Sequence, residues 1–205
     1  IGMALGNPKF RLSGEFQEAL GQALGLKVPE DAFAAMDYHL DWLAASVHLA
    51  TNGGHPGPYG RDQCFITATQ QDVDLLVAYK GAEGYHVIML EAKGVTGNSN
   101  RQFRAKVERL KAIFGSSESS GGMAIPHFAL VSPKPSLRLN YKQCPPWMLK
   151  PDGKVAWFQL PLPCKLEKVV RCHLDGTVSN QGDYWKVIPE PLSGPDYGST
   201  GGGGH

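Results

Sequence analysis

Two apolar runs separated by a short polar turn constrain the fold of this 205-residue chain more than any other feature. The runs are VDLLVAY, at residues 73–79, and YHVIMLEA, at Tyr85–Ala92, and the turn between them is KGAEG. Runs of seven or eight residues rich in aliphatic and aromatic side chains, bounded by glycine, are typical of β-strands. The pattern therefore predicts an antiparallel β-hairpin.

The register of this hairpin decides which polar side chains meet at its open end. A four-residue turn, 81–84, places Asp74 directly across from Glu91. The same register places Asp72 across from Lys93. Residues two apart on a strand share a face, and directly opposed residues project to the same side with Cβ atoms about 5 Å apart. The sequence thus predicts three carboxylates and an ammonium at one end of an apolar hairpin.

Two carboxylates held this close, beside leucine and isoleucine side chains, repel each other and lose hydration. A divalent cation removes the conflict, and carboxylate, carbonyl and water oxygens are the ligands that Mg²⁺ prefers. A bound ion lowers the pKa of its water and neutralises charge on a phosphate transition state. Lys93, a compact cation, is suited to orienting that water or stabilising phosphate charge.

The segments on either side of the hairpin predict a mixed α/β domain. Apolar residues at helical spacing predict helices over residues 14–24, 29–50 and 101–114. Short runs rich in Ile, Thr, Phe or Val predict strands over 64–69 and 127–131. A strand that rejoins the hairpin after a helical crossover is expected to pair in parallel, which gives a mixed sheet.

The chain changes character after Pro133, where it becomes rich in proline. Short strands are predicted over 155–160, 166–172 and 184–188. The predicted organisation is a core with N-terminal helices over 1–135, a β-rich extension packed on it over 136–193, and a flexible tail or tag remnant over 194–205.

Asp74 at the start of one strand, followed by Leu90-Glu91-Ala92-Lys93 at the end of the next, resembles the D…(D/E)XK signature of the PD-(D/E)XK (restriction-endonuclease-like) nuclease superfamily. The predicted order of helix, three strands, helix and strand is similar to that superfamily's αβββαβ core. The resemblance covers about residues 31–131. It implies an α/β fold in which a restriction-endonuclease-like core with a mixed sheet carries a C-terminal β-rich extension.

The resemblance also implies an activity. A metal-dependent nuclease would hydrolyse phosphodiester bonds, with DNA the expected substrate and RNA left open. Asp74 and Glu91 would hold Mg²⁺ or Mn²⁺ with help from the Ala92 carbonyl, and all three of Asp74, Glu91 and Lys93 would be catalytic. Double-strand cleavage by one such site per chain would require a homodimer.

Many members of the superfamily add an acid from the first core helix. The sequence offers several candidates and leaves the choice open: Asp37, Asp41, Glu15 and Glu18. One branch carries a Q-x-x-x-Y motif in the helix after the lysine, and here Gln102 is present but Lys106 stands at the tyrosine position.

Charge supplies the main argument for a different function. The formal net charge is +1, whereas a non-specific nucleic-acid binder is usually more basic. Only a local patch would overcome this, and the helix over 101–114 is a candidate because its five cations face one acid, Glu108. The alternatives are a catalytically inactive module that binds nucleic acid or protein, and an unrelated α/β protein.

The cysteines and the hydropathy bear on location. Cys64, Cys144, Cys164 and Cys172 form no C-x-x-C pair and are too few for a disulfide scaffold in a chain of this length. No apolar stretch approaches the length of a membrane-spanning helix. A cytoplasmic protein without a membrane partner is therefore expected.

Overall fold

The computed structural model describes residues 10–54, 58–60, 66–68, 71–93, 100–116, 123–136, 138–160 and 166–189. The chain divides into two compact units between Leu160 and Pro161. The elements of the first unit are, in order, α1 (Gly14–Leu24), β1 (Phe33–His39), α2 (Leu40–Asn52), β2 (Asp72–Lys80), β3 (Tyr85–Ala92), α3 (Asn100–Phe114), β4 (Ala124–Ser132), a 3₁₀ turn (Pro146–Met148) and β5 (Ala156–Gln159). The second unit contains β6 (Glu167–Cys172) and β7 (Tyr184–Pro189).

The predicted hairpin is confirmed, together with its register. Lys80 pairs with Tyr85, as a turn over 81–84 requires, and the antiparallel ladder continues to the pair Leu75 and Leu90. Gly84 has a φ of +148°, and a Cβ there would lie 2.7 Å from the carbonyl oxygen of Met123. Glycine is therefore required where the turn meets the start of β4.

The five strands of the first unit form one mixed sheet in the order β1-β2-β3-β4-β5. β1, β2 and β3 are antiparallel neighbours, and β4 pairs in parallel with β3, as the crossover through α3 predicts. β5, which lies within the region predicted as an extension, pairs in parallel with β4. The fold is thus mixed α/β, with a five-stranded sheet and three α-helices in the described residues.

Both faces of the sheet are covered, because side chains alternate between faces along each strand. Val87 and Met89 pack in one cluster with Val107 of α3 and with residues of α2. Ile88 and Leu90 pack on the opposite face, in the cluster that contains residues of α1. The helices therefore form a layer on each side of the central strands of the hairpin.

The predicted helix over 29–50 is wrong in its first half. Residues 33–39 form β1, and a helix begins only at Leu40. Phe33 and Met36 match a helical stripe in the sequence, yet both are exposed, and their backbone pairs with β2. Pairing with a strand distant in sequence overrides the local periodicity here.

The strand predicted over 64–69 is wrong for the part of this segment that the structure describes. Residues 66–68 form no strand, and the other residues of this segment lie outside the described ones. The antiparallel neighbour of β2 on the side away from β3 is β1. Also outside the described residues are the tail over 194–205, Cys64 and Cys164.

In the described residues, the second unit contains one hairpin, formed by β6 and β7. β6 and β7 are antiparallel, with Val169 paired with Val187 and Cys172 with Tyr184. A Cβ on Gly182 would lie 2.1 Å from the carbonyl oxygen of Cys172, so only glycine fits there. Among the described helices, none combines the length and the apolar character needed to cross a bilayer.

Candidate functional site

Glu91 lies at the end of β3 on the face that is covered by α3, because it continues the alternation of Val87 and Met89. Its side chain is only 12% exposed, and both carboxylate oxygens have cationic partners. Oε1 lies 3.1 Å from Nζ of Lys93, and Oε2 accepts a short hydrogen bond from Nζ of Lys106. The end of the predicted signature is thus a half-buried ion-pair cluster.

Asp74 reaches the same end of the hairpin from β2. The backbone pairing of the two strands stops at Leu75 and Leu90. Beyond this pair the Asp74 carboxylate, instead of a backbone carbonyl, accepts the hydrogen bond from β3. Its Oδ2 accepts a hydrogen bond of 2.5 Å from the backbone N–H of Ala92. The structure therefore brings Asp74 beside Glu91, as the register predicts.

The environment of Asp74 makes its charged form less favourable than it is in water. Burial, with the added repulsion of the Glu91 charge, raises the pKa of Asp74. The Ala92 N–H and the ammonium groups of Lys106 and Lys93 oppose this rise without cancelling it. Two carboxylates in partial competition are an arrangement that a cation would stabilise.

Asp72 contributes a different atom from the one that the sequence suggests. Its side chain is exposed, whereas its backbone carbonyl oxygen accepts a hydrogen bond of 2.6 Å from Nζ of Lys106. The oxygen atoms gathered at this end of the hairpin are therefore two carboxylates and a main-chain carbonyl.

Lys106 is the member of the cluster that sequence reasoning missed, because the charge pattern groups it with the solvated cations of α3. Its position in the helix held a signal. It directly precedes Val107 and follows Phe103 by three residues, so it borders the buried stripe of the helix. A lysine at that border reaches towards the sheet while its aliphatic stem packs on apolar neighbours.

The four candidate acids lie on three different elements. Glu15 and Glu18 are exposed on α1, the helix on the other face of the sheet. Asp37 lies on β1 and not on a helix. It is the residue opposite Asp74, but it has a φ of +49° and forms no ladder pair there.

Asp41 is held in a separate, buried cluster. Its Oδ1 pairs with the guanidinium of Arg109 and accepts the N–H and hydroxyl of Thr67, while Oδ2 accepts the N–H of Ala68 at 2.8 Å. Burial alone would raise the pKa of Asp41, but these hydrogen bonds and the charge of Arg109 outweigh it and lower the pKa. Asp41 therefore links α2 to α3 and to the 66–68 segment, and both of its carboxylate oxygens have protein partners.

The donor atoms present at the hairpin end fit a hard divalent cation in chemical type. Asp74 and Glu91 supply carboxylate oxygens, and Mg²⁺ commonly binds to one or two carboxylates and completes its shell with water. Within the ranges that the structure describes, no group of three or more His, Cys, Asp or Glu side chains is placed to hold a metal. A cation here would thus depend on two protein carboxylates, on carbonyl oxygens and on water.

The cations of α3 divide into two groups. Lys106, Arg109 and Lys111 each pair with a carboxylate. Arg101 and Arg104 are exposed, and no ion pair involves them within the described residues. The predicted basic helix thus presents only the two cations of its first turn and a half to an approaching ligand.

A second segment places further cations beside that end of α3. The Asn100 side chain donates to the carbonyl of Arg138 at 2.9 Å and accepts from the N–H of Asn140 at 2.8 Å. No acidic residue occurs between 123 and 151. We call the resulting group of exposed cations the basic surface: Arg101, Arg104, Arg138 and Lys142.

The first turns of α3 lie near the end of β3 that carries Glu91, because Lys106, in the second turn of the helix, pairs with that carboxylate. Asn100, at the start of the same helix, bonds to the segment that carries Arg138, so the basic surface lies near the carboxylate pair. The backbone N–H of Lys93 also donates to the carbonyl of Val131, near the end of β4.

No family model, curated protein sequence or solved structure matches this chain.

Proposed function

We propose that this chain is a metal-dependent nuclease that hydrolyses phosphodiester bonds in DNA. The observation that carries the proposal is the convergence of Asp74, Glu91 and Lys93 at one end of the hairpin. These are the residues that the D…(D/E)XK resemblance assigns to the reaction.

The order of the elements supports the same assignment. With α2 counted as an added helix between the first two strands, the order α1, β1, β2, β3, α3, β4 corresponds to an αβββαβ core. The pairing of the three antiparallel strands and the parallel return of β4 agree with such a core. The proposal therefore includes a restriction-endonuclease-like core in this chain.

In the proposed mechanism the two carboxylates, Asp74 and Glu91, would hold Mg²⁺ or Mn²⁺. When bound, the ion would lower the pKa of a coordinated water and neutralise charge on the phosphate. Lys93 places an ammonium beside Glu91, from which it can orient the attacking water or stabilise charge on a phosphate oxygen. The basic surface holds the flanking phosphates in position. Cleavage of both strands of a duplex would need a second copy of the chain.

Cleavage by the wild-type protein and by Lys93→Ala tests this function. We expect metal-dependent cleavage of DNA, slower by about a hundredfold in the variant because a positioned acid–base or charge-stabilising group is removed. The measurement uses single- and double-stranded DNA and RNA with Mg²⁺ or Mn²⁺. Lys80→Ala is the matched control, since Lys80 is exposed at the opposite end of the same hairpin.

Equal rates for wild type and Lys93→Ala would remove Lys93 from the reaction and with it the proposed site. Cleavage of RNA alone would keep the site and change the substrate. Absence of cleavage by every protein would contradict the nuclease proposal.

Binding of DNA without cleavage tests the basic surface. In EDTA, the double variant Arg138→Ala/Lys142→Ala is expected to bind a DNA oligonucleotide more weakly than wild type at every sequence. The slope of log affinity against log salt should become shallower by about two, because two phosphates no longer have a cation from the protein. Fluorescence anisotropy at several salt concentrations measures both quantities.

A control of equal charge change is Lys80→Ala/Lys154→Ala. Both lysines are exposed, and neither belongs to the basic surface. Lys80 lies at the turn of the hairpin, at the end of the sheet away from Glu91, and Lys154 precedes the start of β5. Equal weakening in the two double variants would show that binding follows total charge and not the basic surface.

One observation favours the second candidate function, an inactive module that binds nucleic acid or protein. The charges of Asp74 and Glu91 are balanced by those of Lys93 and Lys106 without any metal. Binding of DNA without cleavage, combined with the absence of metal binding, would support that function.

A further inference from the structure

Lys106 is held at the carboxylate pair more tightly than the lysine of the signature. Its Nζ lies between Oε2 of Glu91 and the carbonyl oxygen of Asp72, and the side chain is 16% exposed. The Lys93 ammonium lies 3.1 Å from Glu91, and that side chain is 26% exposed. Of the two lysine side chains, that of Lys106 is the more deeply buried.

The partners of Lys106 are the kind of oxygen atoms that bind a hard cation. A carboxylate oxygen and a main-chain carbonyl are common ligands of divalent ions. Glu91 has only two carboxylate oxygens, and each already accepts from one lysine. A metal ion bound to Glu91 and the Lys106 ammonium therefore compete for the same carboxylate group and for its negative charge.

We propose that Lys106 is the resident counter-ion of this site, and that a divalent cation binds Glu91 by displacing it. The displaced ammonium stays on α3, between the carboxylates and the basic surface. There a phosphate of the substrate is its natural new partner, because an ammonium that leaves a carboxylate is stabilised by another anion. Metal and substrate then favour each other's binding. This inference rests on the proposed function.

A purely structural role for Lys106 is the competing explanation. In that case the lysine would only hold α3 against the hairpin, and its removal would lower stability without a change in metal affinity. The two roles are separated by measuring metal affinity directly, independently of cleavage.

The experiment is Mn²⁺ binding to the intact protein by calorimetry, for wild type, Lys106→Gln, Lys106→Met and Lys93→Gln. Glutamine keeps a donor for the Asp72 carbonyl, so it guards against loss of the fold in the methionine variant. We expect both Lys106 variants to bind Mn²⁺ about tenfold more tightly than wild type, because a competing charge is removed from a half-buried carboxylate. Lys93→Gln should change the affinity by less than about threefold, since its ion pair is longer and more solvated.

Thermal unfolding supplies a second readout. Without metal, Lys106→Gln is expected to unfold at a lower temperature than wild type, because Glu91 and Asp74 then repel each other with one fewer cation between them. Saturating Mn²⁺ should raise its unfolding temperature more than it raises that of wild type.

The possible outcomes distinguish failure of the counter-ion role of Lys106 from failure of the proposed nuclease function. Mn²⁺ binding and cleavage by wild type, with equal or weaker Mn²⁺ affinity in both Lys106 variants, would overturn the counter-ion role and leave the nuclease proposal standing. Failure of every protein, including the Lys106 variants, to bind Mn²⁺ would overturn both.

Discussion

Replacing Asp41 by asparagine is expected to lower the free energy of unfolding by about 3–5 kcal/mol, the usual result of removing one partner of a buried ion pair. The guanidinium of Arg109 would be deprived of the carboxylate beside it while remaining buried, with an exposed fraction of 7%. Its Nε already has no hydrogen-bond partner within the described residues, so removal of the carboxylate adds to an existing deficit. Urea denaturation at neutral pH measures the change.

The same helix supplies the control. Glu108 pairs with Lys111 at 3.1 Å, but its side chain is 56% exposed. Glu108→Gln is expected to change stability by less than about 0.5 kcal/mol, as surface pairs usually do. Comparable destabilisation in Asp41→Asn and Glu108→Gln would contradict a special role for the buried pair.

The protein is expected to lose about 3 kcal/mol of stability between pH 7 and pH 4 through one residue, His127. Nε2 of His127 lies 3.0 Å from Nδ1 of His86 on the neighbouring strand. Burial, and the charge of His86 beside it, lower the pKa of His127 from 6.5 to about 4. The folded protein thus keeps this imidazole neutral at a pH where the unfolded chain protonates it.

The direction of the effect follows from proton binding. Between pH 6.5 and pH 4 the unfolded state binds the extra proton, so stability falls as the pH falls through this window. Above this window both states are neutral and the contribution of His127 is constant. Urea denaturation at half-unit intervals of pH, for wild type and His127→Gln, measures it. An unchanged pH dependence in the variant would assign the effect to other groups.

The hairpin could be predicted from the sequence because everything that defines it is local. Two apolar runs and a turn with Gly81 and Gly84 determine the register, and the register brings Asp74 beside Glu91. Predicting this part of the candidate site needed no knowledge of the rest of the fold.

β1 could not be predicted in the same way. Its partner β2 begins more than thirty residues later, and the spacing of Phe33, Met36 and Leu40 imitates a helix. The backbone hydrogen bonds that make it a strand come from the sheet, which the local sequence does not reveal. The local pattern therefore predicts a helix at Asp37, although this residue lies on a strand opposite Asp74.

The roles of Lys106 and Arg109 were also hidden, for a related reason. Both belong to a run of cations that looks uniformly solvated, yet each pairs with an acid on another element. Arg109 is paired with an acid 68 positions earlier in the chain. Charge alone does not show which cations are buried, because that depends on which acids the fold brings to the helix.

The irregular backbone at Asp37 has a consequence for self-association. β1 is the outermost strand of the sheet on its side, and it exposes Phe33 and Met36. A long, regular and apolar edge strand invites pairing with another molecule through its free N–H and C=O groups. Asp37, with its left-handed backbone and exposed carboxylate, interrupts that edge midway. The strand that completes the sheet is thereby a poor template for extending it into a second chain.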